Sequence, residues 1–295
     1  MNPIGNISGS AGTTQAAVSS KWKRPHLASP SAGYITITDA SLSYRGEQGV
    51  VHALDKVNLA IEEGSFVSVV GPSGCGKSTM LNVIADLLTP TTGTVTVGGA
   101  RVDTLSAKGR IGIVFQQANL MPWLTIRQNI ALLRELVQSK NSGRDFSNAP
   151  EIDELIETVG LGGFAAAYPH QLSGGMQQRA ALARALALDP DILLMDEPFA
   201  ALDEITRDRM GHELTRVWSR YRKTVLFVTH NLAEAVFLSD RIILMTPRPG
   251  RIVTITDVDL PRPRENEIRF DDAFTNCVTE LNRELHRISY DEGPK

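Results

Sequence analysis

The sequence predicts an α/β fold that is built on a mostly parallel β-sheet. Short apolar runs rich in β-branched residues alternate with longer segments of helical periodicity, which is the pattern of parallel strands joined by helices. One such run, residues 65–70, leads into a glycine-rich turn and then into a helical segment. Polar residues directly follow several other runs, and the ligands of such sheets bind at the carboxyl ends of the strands. We therefore expect a binding site at that edge of the sheet.

The glycine-rich turn has the composition of a loop that holds phosphate groups. Its glycines let backbone N–H groups point at one anion, and the helix that follows adds unpaired N–H groups and the positive end of its dipole. Lys77 would reach the β- and γ-phosphates of a nucleotide, and Ser78 would offer its hydroxyl to Mg²⁺. The alternative, an ordinary turn before a helix, is disfavoured by the preceding strand. The predicted nucleotide-binding residues are Gly71, Pro72, Ser73, Gly74, Cys75, Gly76, Lys77, Ser78 and Thr79.

Length and composition narrow the class of protein. The 295 residues suffice for one large domain with appendages or for two small ones, and 42% of them are apolar, so a sizeable core can form. The net charge of −3 gives no overall attraction to nucleic acid or anionic lipid. Cys75 and Cys277 lie far apart, which suits a reducing compartment. We expect no membrane span and no secretion signal, because the chain lacks an apolar run of about 18 residues and a basic, then apolar, start.

The N-terminal part is predicted to form a disordered tail and then an antiparallel β subdomain. Residues 1–33 are rich in small and polar residues and cannot bury enough surface to order themselves. Their basic cluster, residues 21–24, would be solvated or, in the less favoured interpretation, would contact lipid or a partner. Alternation of apolar and polar residues then predicts strands at residues 34–38, 41–44, 57–61 and 94–97.

The rest of the chain alternates buried strands with helices. Helices are predicted from about residue 125 to residue 159, around a polar loop at 139–150, and over residues 176–187 with Ser173 as the N-cap. A linker at residues 261–263 precedes a last amphipathic helix. That helix would pack on the domain itself, with a partner contact as the less favoured alternative, and its apolar positions are Phe270, Phe274, Cys277, Leu281, Leu285 and Ile288. The buried strands are predicted at residues 111–115, 192–195, 224–228, 241–245 and 252–255.

Two carboxylates follow the apolar strand at residues 192–195. Asp196 and Glu197 would lie at the carboxyl end of this strand, where proteins with a phosphate-binding loop hold Mg²⁺. Asp196 would bind the water shell of the metal ion, and Glu197 would orient and polarise the attacking water. The alternative is that both acids simply face solvent at the end of the strand. The glycine loop elsewhere in the chain makes this alternative the weaker interpretation.

Taken in order, the motifs resemble those of an ABC transporter ATP-binding subunit from about residue 34 to residue 258. The most specific is Leu-Ser-Gly-Gly at residues 172–175, because other ATPases with a phosphate loop lack this signature. Residues 192–198 and 201–203 accompany it at the expected places. Similarity to the group that imports nitrate, sulfonate and taurine rests on residues 71–76, 121–125 and 246–252.

The resemblance assigns further roles by position. Tyr44 would stack on the adenine ring, with a tyrosine at a surface turn as the alternative. Gln116 would contact Mg²⁺ or water and sense the permease, and His230 would contact the γ-phosphate. Without the other motifs, a Gln at a strand end is usually part of the polar surface, and a lone His after a strand more often has a structural role.

A second group of residues would serve the nucleotide held by another subunit. Ser173, Gly174 and Gly175 open a helix and would bind its γ-phosphate, since N–H groups at a helix start attract an anion. Asp203 would lie at the seam between the subunits. A plain helix cap and a plain turn acid are the alternatives. The metal ligands implied by the resemblance are Ser78, Gln116 and Asp196, and the catalytic residues are Glu197, His230 and Gln116.

Three positions depart from the pattern of the family. Met176 replaces the commoner Gln of the signature and Ala200 replaces a frequent Ser, and neither change threatens hydrolysis. Asp86 stands where a glycine usually ends the helix after the glycine loop. A negative charge there opposes the helix dipole, and we find no functional reason for it.

The resemblance implies a P-loop NTPase core with an antiparallel β subdomain and an inserted helical subdomain. The ATP-binding domain would cover residues 34–260, its helical subdomain about 118–180, and a C-terminal linker and helix 261–295. Two copies would close head-to-tail around ATP and Mg²⁺ and drive two transmembrane permease subunits, with a substrate-binding protein as an indirect partner. The chain would be a peripheral ATP hydrolase on the cytoplasmic face of the inner membrane.

Other functions within the family are the alternatives. A soluble ABC ATPase that acts on nucleic acid or ribosomes is disfavoured by the single cassette and the lack of a basic stripe, so no nucleic acid is expected as a partner. An efflux ATPase would use the same motifs. The sequence does not identify the transported molecule, because a binding protein and a permease would select it.

Two side chains carry separate expectations. Cys75, at a helix start beside Lys77, is expected to be a reactive thiol with a lowered pKa, unless its side chain points back into the domain. Cys277 would be buried and inert by comparison. Trp123, in the segment 122–124, is expected to contact the permease, with burial in the core as an equal alternative.

Overall fold

The computed structural model describes residues 33–46, 49–103, 109–139 and 143–291. These residues form two β-sheets, with helices packed around the larger one, which confirms the α/β prediction. Residues 1–32, with the basic cluster at 21–24, lie outside the described residues. The strands are β1 (Ile35–Gly46), β2 (Gly49–Ile61), β3 (Phe66–Val70), β4 (Thr92–Val97), β5 (Ala100–Arg101), β6 (Ile111–Val114), β7 (Ile192–Asp196), β8 (Thr224–Thr229), β9 (Arg241–Met245) and β10 (Ile252–Asp257).

Helices connect the strands of the larger sheet. No helix among the residues described above is long and apolar enough to cross a membrane. Short 3₁₀ helices lie at Gly162–Phe164, Pro169–Gln171 and Asn266–Phe270. The α-helices are α1 (Lys77–Ile84), α2 (Ile126–Ser139), α3 (Ile152–Thr158), α4 (Gly174–Leu186), α5 (Glu204–Tyr221), α6 (Leu232–Leu238) and α7 (Asp272–Asp291).

The larger sheet has six strands in the order β10-β9-β3-β8-β7-β6. Strands β9, β3, β8, β7 and β6 run parallel, and β10 pairs antiparallel with β9 at one edge. Both faces of the sheet are covered: Phe66 and Val70 join one core cluster, while Val67 and Val69 join the other. Burial on two sides explains why these strands are continuous apolar runs in the sequence. The carboxyl ends of β3, β6, β7 and β8 consequently lie at one edge.

The smaller sheet is antiparallel, in the order β2-β1-β4-β5. The predicted separate strands at 34–38 and 41–44 are one strand, and the predicted strand at 57–61 is only the end of β2. The reason is a bulge: Asp39 and Lys56 adopt positive φ, and the register shifts there. Asn58 bridges the irregularity, because its Oδ1 accepts from the Asp39 N–H at 3.0 Å. The alternation of buried and exposed side chains is therefore interrupted at the bulge, while β1 and β2 stay paired on both sides of it.

Asp86 ends α1 in a left-handed conformation, with φ 60°. Its N–H donates to Val83 O at 3.2 Å, and the Leu87 N–H donates to Asn82 O at 2.9 Å, which together make a Schellman motif. Glycine favours this position because it has no Cβ, and Asp is one of the few other residues that tolerate it. The unusual acid therefore fills a backbone role that glycine usually fills.

Helix α7 packs on the domain itself, as expected, through Phe274, Cys277 and Leu281, all of them buried. Phe270 was wrongly placed on the same apolar face. It lies in the preceding 3₁₀ helix and is 86% exposed. The helix begins only at Asp272, so the helical period does not extend back to Phe270.

Arg264 fastens the linker before α7 to the end of α6. This buried guanidinium donates to Val236 O, Phe237 O and Ser239 O at 2.7–3.0 Å. These carbonyls are among those that a helix leaves unpaired at its C-terminus. Burial lowers the pKa of Arg264 to about 10, so the side chain stays charged at neutral pH. The C-terminal segment is thereby joined to the helix that follows His230.

Candidate functional site

The glycine loop curls at the carboxyl end of β3, directly before α1. Gly76 is the N-cap of α1 and has a φ of 105°, a conformation that side chains disfavour. A Cβ at Gly76 would also meet Ala53 O at 2.8 Å and Leu54 Cδ2 at 2.9 Å. Glycine is thus required by both the turn and the close approach of β2. The first N–H groups of α1 lack helical partners and remain available to an anion.

Lys77 lies over the loop rather than in solvent. Its side chain is only 5% exposed, and Nζ donates to Gly71 O at 2.9 Å and to Pro72 O at 3.0 Å. The same nitrogen is 3.8 Å from Oε1 of Glu197. The ammonium is therefore held between the loop and the end of β7, where a phosphate group on the loop would meet it.

Ser78 and Asp196 come together as a pair of oxygen donors. The Ser78 hydroxyl donates to Asp196 Oδ1 at 2.9 Å. Burial raises the pKa of Asp196, and the hydrogen bond from Ser78 opposes that rise. A hydroxyl and one carboxylate suit Mg²⁺, which takes oxygen ligands and usually binds through one or two carboxylates together with substrate phosphates. The residues present therefore fit the metal ion that the sequence implied.

Glu197 adopts a strained backbone conformation, with a φ of 44°. Its N–H donates to Val228 O at 2.9 Å, so strand β8 fixes the residue that follows β7. Oε2 lies 3.2 Å from Nδ1 of His230, which follows β8. The carboxylate is consequently held between an imidazole and the Lys77 ammonium.

A cavity of about 440 Å³ runs from Tyr44 to Glu197. Tyr44 lies near the end of β1, and its exposed side chain lines the cavity. Three further lining residues, Val51, Ala53 and Arg248, were not predicted, and of these only Arg248 lies in a segment, 246–252, that the resemblance had singled out. The predicted residues that line the cavity are Tyr44, Ser73, Gly74, Gly76, Lys77, Ser78, Thr79 and Glu197.

Gln116 lies two residues beyond β6, at the same sheet edge as Asp196. Strand β6 pairs parallel with β7, with Val114 opposite Met195. The Gln116 side chain is exposed. Its position suits contact with a ligand at the ends of these strands, although it is not part of the cavity wall.

The signature residues form a second surface, separate from the cavity wall. Ser173 caps α4 by accepting from the Met176 N–H at 3.4 Å. A Cβ at Gly175 would lie 2.9 Å from Thr206 Cγ2, so α4 begins against the start of α5. Asp203 caps α5 by accepting from the Thr206 N–H at 3.0 Å, and this bond lowers the pKa of its carboxyl. Gly174 opens α4 beside these residues.

Comparison with known proteins identifies the family. A family model described as ABC transporter matches residues 54–200. An uncharacterized ABC transporter ATP-binding protein of Methanocaldococcus jannaschii is 51% identical over 216 residues, which are 73% of this chain and 78% of that protein. This chain belongs to the ABC transporter ATP-binding proteins. The prediction made from the signature is confirmed.

Relatives of this ABC protein include importer subunits. A taurine import ATP-binding protein of Rhizobium johnstonii is 44% identical over 229 residues, 77% of this chain and 85% of that protein. An aliphatic sulfonates import ATP-binding protein of Bacillus cereus is 41% identical over 230 residues, 78% and 88% of the two chains. Among solved structures, a dimeric, post-hydrolysis ATP-binding cassette with ADP and Pi bound is 34% identical, with a TM-score of 0.64, over 77% of this chain and 100% of that one. The P-loop NTPase fold of this ABC ATPase is thereby confirmed.

The expectation for Cys75 was wrong. Its side chain is 1% exposed, and Sγ lies against Gly71 on the inner side of the loop rather than in the cavity. Burial raises the pKa of the thiol, and the nearby Lys77 only partly offsets this effect. The backbone of Cys75 belongs to the glycine loop of this ABC protein, while its thiol belongs to the core. Cys277 is also buried, and burial raises its pKa to about 11.

Trp123 is 70% exposed, so the alternative of burial in the core was wrong. Buried Asn129 shapes the segment that presents it. Asn129 Oδ1 accepts from the Met121 N–H at 2.7 Å, and Nδ2 donates to Leu124 O at 3.0 Å. The indole is thus held outward on an ordered turn before α2.

Proposed function

We propose that this ABC ATPase hydrolyses MgATP to power an importer of sulfonate, taurine, nitrate or a related small anion. The observation that carries the hydrolytic part is the placement of Glu197 between Lys77 and His230 at the end of a phosphate-binding cavity. The transport part is supported by the relatives that carry the names of sulfonate and taurine import proteins.

Each group in and beside the cavity has a separate task in this reaction. The N–H groups of the loop and Lys77 hold the β- and γ-phosphates and compensate their charge. Ser78, Asp196 and Gln116 would hold Mg²⁺, which would compensate the negative charge that develops on the phosphate groups. Glu197 accepts a hydrogen bond from a water molecule, orients it for attack on the γ-phosphorus and takes up its proton, while the bond from that phosphorus to the bridging oxygen breaks and ADP leaves. Its fixed backbone keeps the carboxylate on one side of the phosphate chain.

His230 is assigned to the γ-phosphate on the same geometry. Its Nδ1 faces the Glu197 carboxylate, which leaves Nε2 free to contact a phosphate oxygen. Tyr44, at the other end of the cavity, is assigned to the adenine ring because its ring is partly exposed there. The cavity thus has a place for the base and a place for the terminal phosphate.

We assign the surface of Ser173, Gly174, Gly175 and Asp203 to the nucleotide of a second copy. These residues cluster where α4 and α5 begin, away from the cavity of their own chain. N–H groups at the start of α4 can bind a phosphate, and two copies arranged head-to-tail would each complete the other site. The dimeric state of the similar cassette supports this arrangement.

The remaining assignments concern the assembly. The ATP-binding domain spans residues 34–260, its helical subdomain about 118–180, and the linker and last helix 261–295. Two transmembrane permease subunits bind the dimer at the cytoplasmic face of the inner membrane, and a substrate-binding protein delivers the anion. Exposed Trp123 is assigned to the permease contact. Co-purification separates this proposal from its rivals, because membrane subunits support it and bound nucleic acid contradicts it.

Replacement of Glu197 by Gln tests the hydrolytic assignment. The Glu197→Gln variant keeps the loop, Lys77 and the metal ligands, so it should bind MgATP with nearly wild-type affinity. The loss of the orienting carboxylate should lower kcat by about 10²–10⁴-fold. ATP should then trap a dimer that size-exclusion chromatography resolves from the monomer.

Glu63→Gln is the matched control, because Glu63 is exposed at the opposite end of β3. It should hydrolyse ATP at the wild-type rate and form no trapped dimer. Near-normal turnover in Glu197→Gln would reject the role assigned to Glu197. In the reconstituted complex, stimulation of ATPase activity by sulfonates or oxyanions, but not by unrelated solutes, tests the transport assignment.

A further inference from the structure

The turn between β9 and β10 is tied firmly to the nucleotide cavity. Within the turn, Thr246 Oγ1 donates to Pro249 O at 2.8 Å. The Gly250 N–H donates to Ala53 O at 2.9 Å, and the Arg251 guanidinium binds Asp55 at 2.6 Å. Ala53 itself lines the cavity. These bonds hold the turn against β2, so its side chains occupy fixed positions relative to the loop.

Arg248 is the residue of this turn that faces the cavity. Its side chain lines the cavity wall, and Nη2 approaches Gly74 O of the phosphate loop at 3.5 Å. Within the described ranges no carboxylate forms an ion pair with Arg248, whereas Arg251 of the same turn pairs with Asp55.

The positive charge of Lys77 alone does not balance the negative charge of a nucleoside triphosphate in this cavity. Lys77 supplies one positive charge on the floor of the loop, but it also lies 3.8 Å from the Glu197 carboxylate. A nucleoside triphosphate carries several negative charges along its phosphate chain. The planar guanidinium matches phosphate oxygens with paired, charge-assisted hydrogen bonds. Arg248 stands beside Gly74, on the rim of the loop that receives those oxygens.

We propose that Arg248 is a nucleotide-binding residue whose guanidinium donates to the phosphate chain of ATP on the loop 71–79. The inference rests on the proposed function, since it requires ATP in this cavity. It makes the turn after β9 a third wall of the site, besides the loop and the end of β7. Because ADP keeps most of the phosphate chain, Arg248 strengthens the binding of ADP as well as that of ATP.

Equilibrium titration of the full chain with MgATP and MgADP tests the proposal. Arg248→Ala should weaken the binding of both nucleotides by about tenfold, which corresponds to about 1.4 kcal/mol. Arg248→Lys keeps the positive charge but lacks the paired N–H donors of a guanidinium, so its affinity for both nucleotides should fall by about threefold. The control is Arg101→Ala, an exposed arginine of the smaller sheet that pairs with Asp103. It should bind both nucleotides within about twofold of wild type.

Salt dependence and thermal unfolding separate a phosphate contact from a structural role. If Arg248 makes an ionic contact with the phosphate chain, raising the salt concentration should weaken nucleotide binding by the wild type more than nucleotide binding by Arg248→Ala. The nucleotide-free variant should melt at the wild-type temperature. Wild-type affinity in Arg248→Ala, or weak binding that comes with a lowered melting temperature and is not restored in part by lysine, would overturn the proposal. Failure of the wild-type chain to bind MgATP would instead reject the proposed function.

Discussion

Glu197 shows how a single residue can be fixed by neighbouring strands. A positive φ costs a residue of this type about 1–3 kcal/mol, and the N–H bond to Val228 O at 2.9 Å helps to hold it. The strain sets the carboxylate against His230 and Lys77 rather than letting it follow β7 outward. In the role proposed for Glu197, a carboxylate that cannot swing away needs little reorganisation during the reaction.

Cys75 also illustrates a decision made at the scale of one residue. Its backbone lies in the polar glycine loop, yet its side chain joins Val69 and Met80 in the core cluster. The helix start and Lys77 favour a thiolate, but burial outweighs them and raises the pKa of the thiol. The cost of placing a charge in the core is larger than the gain from these neighbours.

We therefore expect Cys75 to resist alkylation in the native protein. At pH 8 the thiol is neutral and shielded, so iodoacetamide should label it far more slowly than a free cysteine. Peptide mass spectrometry should find equal, low labelling with and without MgATP. Buried Cys277 serves as the internal control, and urea should expose both thiols. Fast labelling of Cys75 that MgATP prevents would contradict this prediction.

Helix α4 acts as an element that joins the signature to the loop after β6. Buried Gln178 donates from Nε2 to Phe115 O at 2.8 Å. Buried Arg184 donates to Ala118 O and Asn119 O, both at 2.7 Å. These carbonyls flank Gln116 in the sequence. The helix that begins with the signature and the loop that carries Gln116 are thus held as one unit.

Removing the Arg184 guanidinium should destabilise that unit. Arg184→Met keeps much of the volume but leaves two carbonyls without their donor, which should lower the free energy of unfolding by about 2 kcal/mol. Urea denaturation measures the change. Arg287→Met is the control, because Arg287 is an exposed arginine that pairs with Glu284 on α7. It should change stability by less than about 0.5 kcal/mol. A change in the free energy of unfolding as small for Arg184→Met as for Arg287→Met would show that the buried hydrogen bonds of Arg184 do not stabilise the fold.

At the scale of the whole molecule, exposed aromatic residues gather near the start of α2. Trp123 precedes this helix, and the Ile126 N–H donates to Ala167 O at 2.9 Å. That bond brings the segment with Phe164 and Tyr168, both exposed, alongside. Trp123, Phe164 and Tyr168 are exposed aromatic side chains of these two connected segments. Aromatic side chains are enriched at the centres of protein interfaces, which fits a permease contact.

Trp123→Ala should weaken assembly with the membrane subunits and leave the isolated chain intact. An anchor of this kind should contribute about 2 kcal/mol or more to binding. Capture of the variant by detergent-solubilised permease should fall accordingly, while MgATP affinity and melting temperature stay at wild-type values. Phe270→Ala is the matched control, since Phe270 is an exposed aromatic on the C-terminal side. Capture of Trp123→Ala at the wild-type level would remove Trp123 from the interface.

The sequence by itself determined the family, the position of the glycine loop and the strand ends that carry Asp196, Glu197 and His230. These features are local, because a strand, a glycine turn and a helix start lie within about 20 residues and fix one another's backbone. Apolar periodicity likewise predicted the packed face of α7 from Phe274 onward. The same periodicity gave a wrong prediction for Phe270, because it does not mark the residue, Asp272, at which the helix begins.

Only the tertiary structure decided which way the loop side chains point. Arg248 reaches the cavity across 174 residues of sequence from Gly74, and no local pattern records that contact. The burial of Cys75 and the exposure of Trp123 depend in the same way on neighbours that are distant in the chain. In a loop without periodicity, the direction of a side chain follows from backbone dihedral angles and from what packs against it. Both are settled when the elements assemble.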